Sequence, residues 1–185
     1  MLRITANCRF MKNHVLKSFL LPLVLFVTIG LFSQEKDVDN LVKVGDDVPS
    51  FTTMRFGGGS VNIDDLKGKV VLINFWATWC PSCIQELDAV QKDLLDKLSG
   101  QDFVFLPVSR QDTPEKIASF MESKGHNFPV YMDPEREIYS MFATKYIPRN
   151  YLIDKTGKVV YLDKGYGPGH LEKIYKEILK FLKKS

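Results

Sequence analysis

The sequence predicts an α/β fold, a mixed central sheet flanked by helices, and three observations predict it. Residues 70–76 and 103–109 are nearly all apolar, as strands buried on both faces must be. After each of them the apolar residues recur at steps of three and four, the spacing of amphipathic helices. Near the end, two apolar runs flank Asp154, Lys155, Thr156, Gly157 and Lys158, which signals a hairpin. Strands interleaved with helices and closed by a hairpin imply both parallel and antiparallel neighbours in one sheet.

The 185 residues suit one domain behind a removable leader. Hydrophobic residues make up 45% and charged ones 25%, enough apolar material for a packed core. The net charge of +3 is unevenly placed: residues 1–33 hold Arg3, Arg9, Lys12 and Lys17, four of the 25 basic residues, and no acid. The remainder has 21 basic residues against 22 acidic ones, about −1 overall, so composition offers no case for nucleic-acid binding.

In the leader, a basic region ends at Lys17, the apolar run 18–32 follows, and polarity returns at Gln34, Glu35 and Lys36. Its 15 residues match a signal-peptide core and fall short of the roughly 20 that span a bilayer. A signal peptide over 1–33 is expected, cleaved near Ser33, although Leu31 is large for a cleavage site. An uncleaved membrane anchor is the alternative, and Met11 is a second candidate start. Residues 34–45 are polar and read as an extended linker, with the folded domain over 46–185.

That domain opens with two short strands, 51–56 and 61–63, joined by Gly57, Gly58, Gly59 and Ser60. No Lys-Ser/Thr follows the glycines, so they read as a hairpin turn, not a phosphate cradle. The strand at 70–76 leads through Ala77, Thr78 and Trp79 into a helix striped by Ile84, Leu87, Val90, Leu94 and Leu98 and stopped by Gly100. In the second core strand Pro107 cannot donate to a ladder, so a bulge or the strand's end is expected there. Thr113, Pro114 and Glu115 supply a cap, a first-turn proline and an acid for a helix that runs to Gly125. A strand at 128–132 and a helix at 134–143 are expected next. The last helix carries Leu171, Ile174, Ile178, Phe181 and Leu182 on one face; its lysines read as a solvated face.

Removing the leader takes Cys8 with it and leaves Cys80 and Cys83, two residues that cannot staple distant loops. Cys80 follows a strand and starts a helix, where unpaired backbone N–H groups favour a thiolate. Pro81 suits the first helical position. Cys83, one turn on and nearer the apolar stripe, reads as the buried resolving thiol, and Cys80 as the exposed attacking one. Glu86 follows one turn later, placed to take the proton of Cys83 or else to be a surface glutamate. Asn74, polar within an apolar strand, needs buried partners and is expected beneath Cys83. His126 and His170 are isolated in the sequence and read as solvent-facing or helix-end residues. Zinc lacks its four ligands, and no resident cofactor is expected beyond the cysteine pair itself.

Phe75-Trp76-Ala77-Thr78-Trp79-Cys80-Pro81-Ser82-Cys83 resembles the thioredoxin superfamily, and within it the exported TlpA/ResA-like thiol–disulfide oxidoreductases. Tyr146-Ile147-Pro148 before Tyr151-Leu152-Ile153-Asp154 is similar to the family's cis-proline segment. The resemblance implies a thioredoxin fold with an added N-terminal hairpin and an inserted helix and strand over 113–132. It implies a cis Ile147–Pro148 bond beside a redox-active Cys80–Cys83 disulfide, with Trp79, Pro81, Ile147 and Pro148 meeting the substrate. Asn74 and Glu86 fit the exported group, which strengthens a proton-relay role for Glu86, while Pro81-Ser82 differs from the Gly-Pro of cytosolic thioredoxins.

The implied activity is reduction of protein disulfides in the periplasm, for instance of apocytochrome c haem-site cysteines in cytochrome c maturation. Protein thiols are the implied partners, with an upstream electron donor such as a membrane thiol transporter. Membrane contact is implied only through an uncleaved N-terminal segment. An oxidase would carry the same motif. A dithiol module handing over Cu(I) or apoprotein is a competing reading, and so is a peroxidase, although this chain lacks the Thr-x-x-Cys of peroxiredoxins.

Overall fold

A computed structural model describes residues 39–183. The expected signal peptide, its cleavage site and Met11 lie outside the described residues. Seven strands form one mixed sheet: β1 (Thr52–Arg55), β2 (Ser60–Asn62), β3 (Val70–Trp76), β4 (Phe103–Arg110), β5 (Tyr131–Asp133), β6 (Arg149–Ile153) and β7 (Val159–Lys164), in the order β2-β1-β5-β4-β3-β6-β7. The helices are α1 (Pro81–Val90), α2 (Pro114–Lys124), α3 (Glu137–Phe142) and α4 (His170–Leu182). β3 is parallel to β4 and antiparallel to β6, so the expected mixed sheet is present.

Every residue of β3 is buried, and its side chains alternate between two cores. Val70, Leu72 and Trp76 pack with Cys83, Leu87 and Val90 of α1 and with Leu171, Ile174 and Ile178 of α4. Val71, Ile73 and Phe75 pack on the other face with Tyr139 and Phe142 of α3 and with Phe51. Phe75 anchors that side, its ring centre 5.2 Å from Tyr139 and 5.1 Å from Phe142. Asn74 shares the parity of Leu72 and Trp76, which turns it toward α1.

Local signals account for the element ends. Gly57, Gly58 and Gly59 all take positive φ in the β1–β2 turn, which pairs through β1 onto β5. Thr113 caps α2 by accepting from the Lys116 N–H, Pro114 occupies its first turn, and Gly125 ends it in the left-handed region. Asp154 Oδ1 accepts from the Thr156 and Lys158 N–H groups and shapes the β6–β7 hairpin.

Four expectations about strands and helices need correction. The helix expected to run to Leu98 is α-helical only to Val90 and continues as a π-turn (Gln91–Leu95) and a 3-10 turn (Asp96–Leu98). Val90, Leu94 and Leu98 are spaced by four, wider than an α-turn, and the wider π winding offsets that drift and keeps both leucines buried. Pro107 neither bulges nor ends β4: the register with β3 runs through Asn74↔Pro107 without a shift. β5 joins β4 only from Val108 onward, so beside Pro107 one side of the strand has no partner needing a donor. The strand expected at 128–132 is shifted to Tyr131–Asp133, because Pro129 has no N–H for a ladder. The helix expected at 134–143 is confined to α3, with Asp133 accepting from the Ile138 and Tyr139 N–H groups at its start.

Residues 39–45, read as linker, are docked: Leu41 N–H donates to the Phe142 carbonyl, Gly45 N–H to that of Val159, and Val42 is buried. His126 is not solvent-facing. Its ring stacks on Phe128 at 4.9 Å with Nε2 3.2 Å from Asp88, and burial lowers its pKa despite that carboxylate.

Candidate active site

The end of β3 delivers the chain straight into α1, and Cys80 caps that helix in an extended conformation. The Cys83 N–H points at Cys80 Sγ from 3.3 Å, and Pro81 fills the first helical position, where its missing N–H costs nothing. Cys80 and Cys83 are joined as a disulfide. Contrary to the expectation of an exposed thiol, Cys80 is only 5% exposed in this oxidised state, and Cys83 is wholly buried. The bond to Cys83 holds Cys80 against the protein, with Ser82 Oγ 3.6 Å and the Ile147 carbonyl 3.7 Å from its sulfur. What faces solvent around it is Trp79 at 52%, Tyr146 at 58%, and Pro81.

The Ile147–Pro148 bond is cis, and the loop that carries it is pinned from behind. The Tyr139 hydroxyl sits 2.6 Å from the carbonyls of both Lys145 and Tyr146, and Arg149 donates to the Lys145 carbonyl at 2.7 Å. Pro148 is buried and Ile147 half-buried. A second lock fixes the cysteine loop. Asp112, 1% exposed, accepts from Thr78 N–H and Thr78 Oγ1, each at 2.7 Å, and from Ser109 Oγ at 2.6 Å. Cys80 thus meets the Ile147 carbonyl, with Trp79 and Pro81 beside the first and Pro148 next to the second in the chain.

Glu86 lies one turn after Cys83 on the inner side of α1, 2% exposed, so it is not a surface glutamate. Asn74 Nδ2 donates to its Oε2 at 3.1 Å, and Asn150 Nδ2 to its Oε1 at 2.8 Å. Asn74 thereby gains the partner its strand position demanded, and it also donates to Asn150 Oδ1 at 2.9 Å, its Oδ1 remaining unpartnered. His170 completes the group from the first turn of α4: Nε2 stands 3.4 Å from Glu86 Oε1 and 3.4 Å from Asp163 Oδ1. Burial lowers its pKa, but the hydrogen bond to Glu86 and the charges of Asp163 and Glu86 outweigh this and leave it raised. A cleft of about 470 Å³ opens beside His170, lined also by Gln85, Asp93, Lys97 and Tyr166.

Sequence reasoning placed Glu86 and Asn74 but missed three contributors. His170 was read as isolated, although a histidine in the first turn of a helix sits at the unfavourable end for a cation and so asks for an acid. Asn150 hides within an apolar strand, opposite Asn74 in the β3–β6 register. Asp112 follows β4 with no motif around it.

Comparison with known proteins gives a consistent picture. The model of the AhpC/TSA family matches residues 44–162. The thiol-disulfide oxidoreductase ResA of Oceanobacillus iheyensis is 31% identical over 146 residues, covering 77% of this chain and 76% of its own. ResA of Bacillus subtilis is 28% identical over 151 residues, covering 82% of each. Among solved structures, a Bacteroides thetaiotaomicron protein assigned as a protein disulfide isomerase superposes with a TM-score of 0.74 at 32% identity, covering 79% of this chain and 94% of that one.

Proposed function

We propose, proceeding from the fact that this chain belongs to the AhpC/TSA family of thioredoxin-fold proteins, that it reduces disulfide bonds of other proteins outside the cytoplasm. It is a thiol–disulfide oxidoreductase, and the direction and compartment are our reading. The observation that carries the reading is the Cys80–Cys83 disulfide at the start of α1, its outer sulfur 3.7 Å from the Ile147 carbonyl of the facing loop. The apolar leader and the likeness to ResA support export.

In the reduced protein, the Cys80 thiolate is stabilised by the Cys83 N–H and the helix end. It attacks one sulfur of a substrate disulfide. That S–S bond breaks, a Cys80–substrate disulfide forms, and the departing substrate thiolate takes a proton. Cys83 then gives its proton to Glu86 and attacks Cys80 Sγ, which closes the intramolecular disulfide and expels the second substrate sulfur as a thiolate that takes a proton from solvent. Two electrons have moved from the protein to the substrate. A dithiol donor on the outer face of the membrane, by its own exchange with Cys80, restores the starting state. Glu86 returns its proton through His170, which borders the open cleft.

Turnover of insulin disulfides with a supplied reductant, lost in Cys80→Ser, tests the activity. Titration of the pair against glutathione tests the direction. A potential near about −270 mV fits a reductase, and one near about −120 mV would assign an oxidase.

A further inference from the structure

Arg110 ends β4 and is 8% exposed. Among the described residues its guanidinium makes no hydrogen bond or ion pair, and its Nε is fully buried without an acceptor. A largely buried guanidinium with one fully buried N–H and no acceptor is costly. Burial first of all depresses its pKa, and the nearby Arg136 and Arg149 add to this, while Tyr139 and Asp133 only partly offset it.

Ring faces hold it in place. Arg110 Cζ stands 4.5 Å from the Tyr139 ring centre and 5.5 Å from that of Trp79, and Arg136 Cζ stands 5.2 Å from Tyr139. Arg136 also leaves a buried Nε unpartnered, although its other end donates to the Thr144 carbonyl. The neighbouring acids are engaged elsewhere, Asp112 by Thr78 and Ser109, and Asp133 by the N–H groups of Ile138 and Tyr139. This group of cations lies between the two loops that frame the disulfide. Trp79 immediately precedes Cys80, and Tyr139 holds the backbone just before Ile147 and Pro148.

We infer that Arg110, backed by Arg136, is a carboxylate subsite that receives an Asp or Glu side chain next to the reactive cysteine of the substrate polypeptide. A guanidinium laid on an aromatic face keeps its forked edge free, and a carboxylate meets that edge with two parallel hydrogen bonds. Trp79, whose ring faces Arg110, is itself 52% exposed. The inference rests on the thiol–disulfide reading of the site and adds a substrate preference to it.

The test uses the reduced protein and two peptides, each with one cysteine activated as a thiopyridyl disulfide, that differ only in carrying Glu or Gln on either side of the cysteine. Neutral dithiodipyridine is run in parallel. Failure of the wild type on dithiodipyridine would count against the exchange chemistry itself, separately from the subsite. The wild type is expected to react about tenfold faster with the Glu peptide than with the Gln peptide. That ratio is expected to fall to near parity in Arg110→Gln and to survive in part in Arg110→Lys. Because each ratio is taken within one protein, a general loss of rate cancels. Should Arg110→Gln fail to fold, Arg136→Gln, at the half-exposed edge, is expected to lower the ratio. Parity in the wild type, or an undiminished ratio in a folded Arg110→Gln or Arg136→Gln protein, would overturn the inference.

Discussion

Glu86 and His170 stand 3.4 Å apart, Oε1 to Nε2, one on the buried side of α1 and the other in the first turn of α4. The carboxylate has no direct opening to water, being 2% exposed, whereas the histidine borders a cleft. A proton that reaches Glu86 therefore has a way out that does not pass the substrate.

Glu86→Gln keeps the shape of the buried group, replaces one accepting oxygen with a donating NH2, and cannot take a proton. Resolution of the mixed disulfide is expected to slow by about a hundredfold, while the first attack by Cys80 keeps its rate. Stopped-flow kinetics that separate the two steps would check this. Equal slowing of both steps would remove Glu86 from the relay.

Cys83→Ala leaves the attacking thiol and deletes the resolving one. Substrate proteins are expected to accumulate as disulfides on Cys80, and peptide mapping of the trapped adducts should find no other linkage. The companion variant Cys80→Ser should trap nothing.

His170 carries a pH dependence of stability with a definite sign. Its pKa is raised in the folded protein by Glu86 and Asp163 against the cost of burial, so its charged form favours folding. That contribution is complete below the ordinary histidine value of about 6.5 and is lost as pH rises through the higher folded value. Urea titrations of wild type and His170→Gln across this range should differ most in acid and converge in alkali. The opposite trend would mean that the histidine is held neutral.

Asp112→Ala removes the acceptor for Thr78 N–H, Thr78 Oγ1 and Ser109 Oγ. With buried donors left unsatisfied, a loss of about 3 kcal/mol is expected in chemical denaturation. Because Thr78 leads into Trp79 and Cys80, the variant should also show altered Trp79 fluorescence in the folded state.

Most of this architecture can be read from local patterns. The apolar run of β3, the Thr113-Pro114 start and Gly125 stop of α2, and the Asp154–Gly157 turn each encode their own geometry within a few residues. The cysteine pair at a strand–helix junction is legible for the same reason. The residues that escaped are those whose meaning depends on pairing. Asn150 matters because β6 lies antiparallel to β3 in the register that sets it opposite Asn74. His170 matters because α4 packs beside α1. Arg110 and Arg149 are charged residues at strand ends, which local pattern assigns to the surface, yet both are buried. The Gln91–Leu95 π-turn is likewise a response to the four-residue spacing of Val90, Leu94 and Leu98, and its cause is core packing.

The alternation of β3 between two cores has a further consequence. The polar group of Glu86, Asn74, Asn150, Asp163 and His170 lies on one side of the strand layer, while Arg110, Arg136 and Tyr139 occupy the opposite side. The strand layer separates the two groups. On the roles proposed above, mutation on one side would retarget the protein to new clients while the acid–base group on the other stays intact, a separation that would let one scaffold diversify without rebuilding its chemistry.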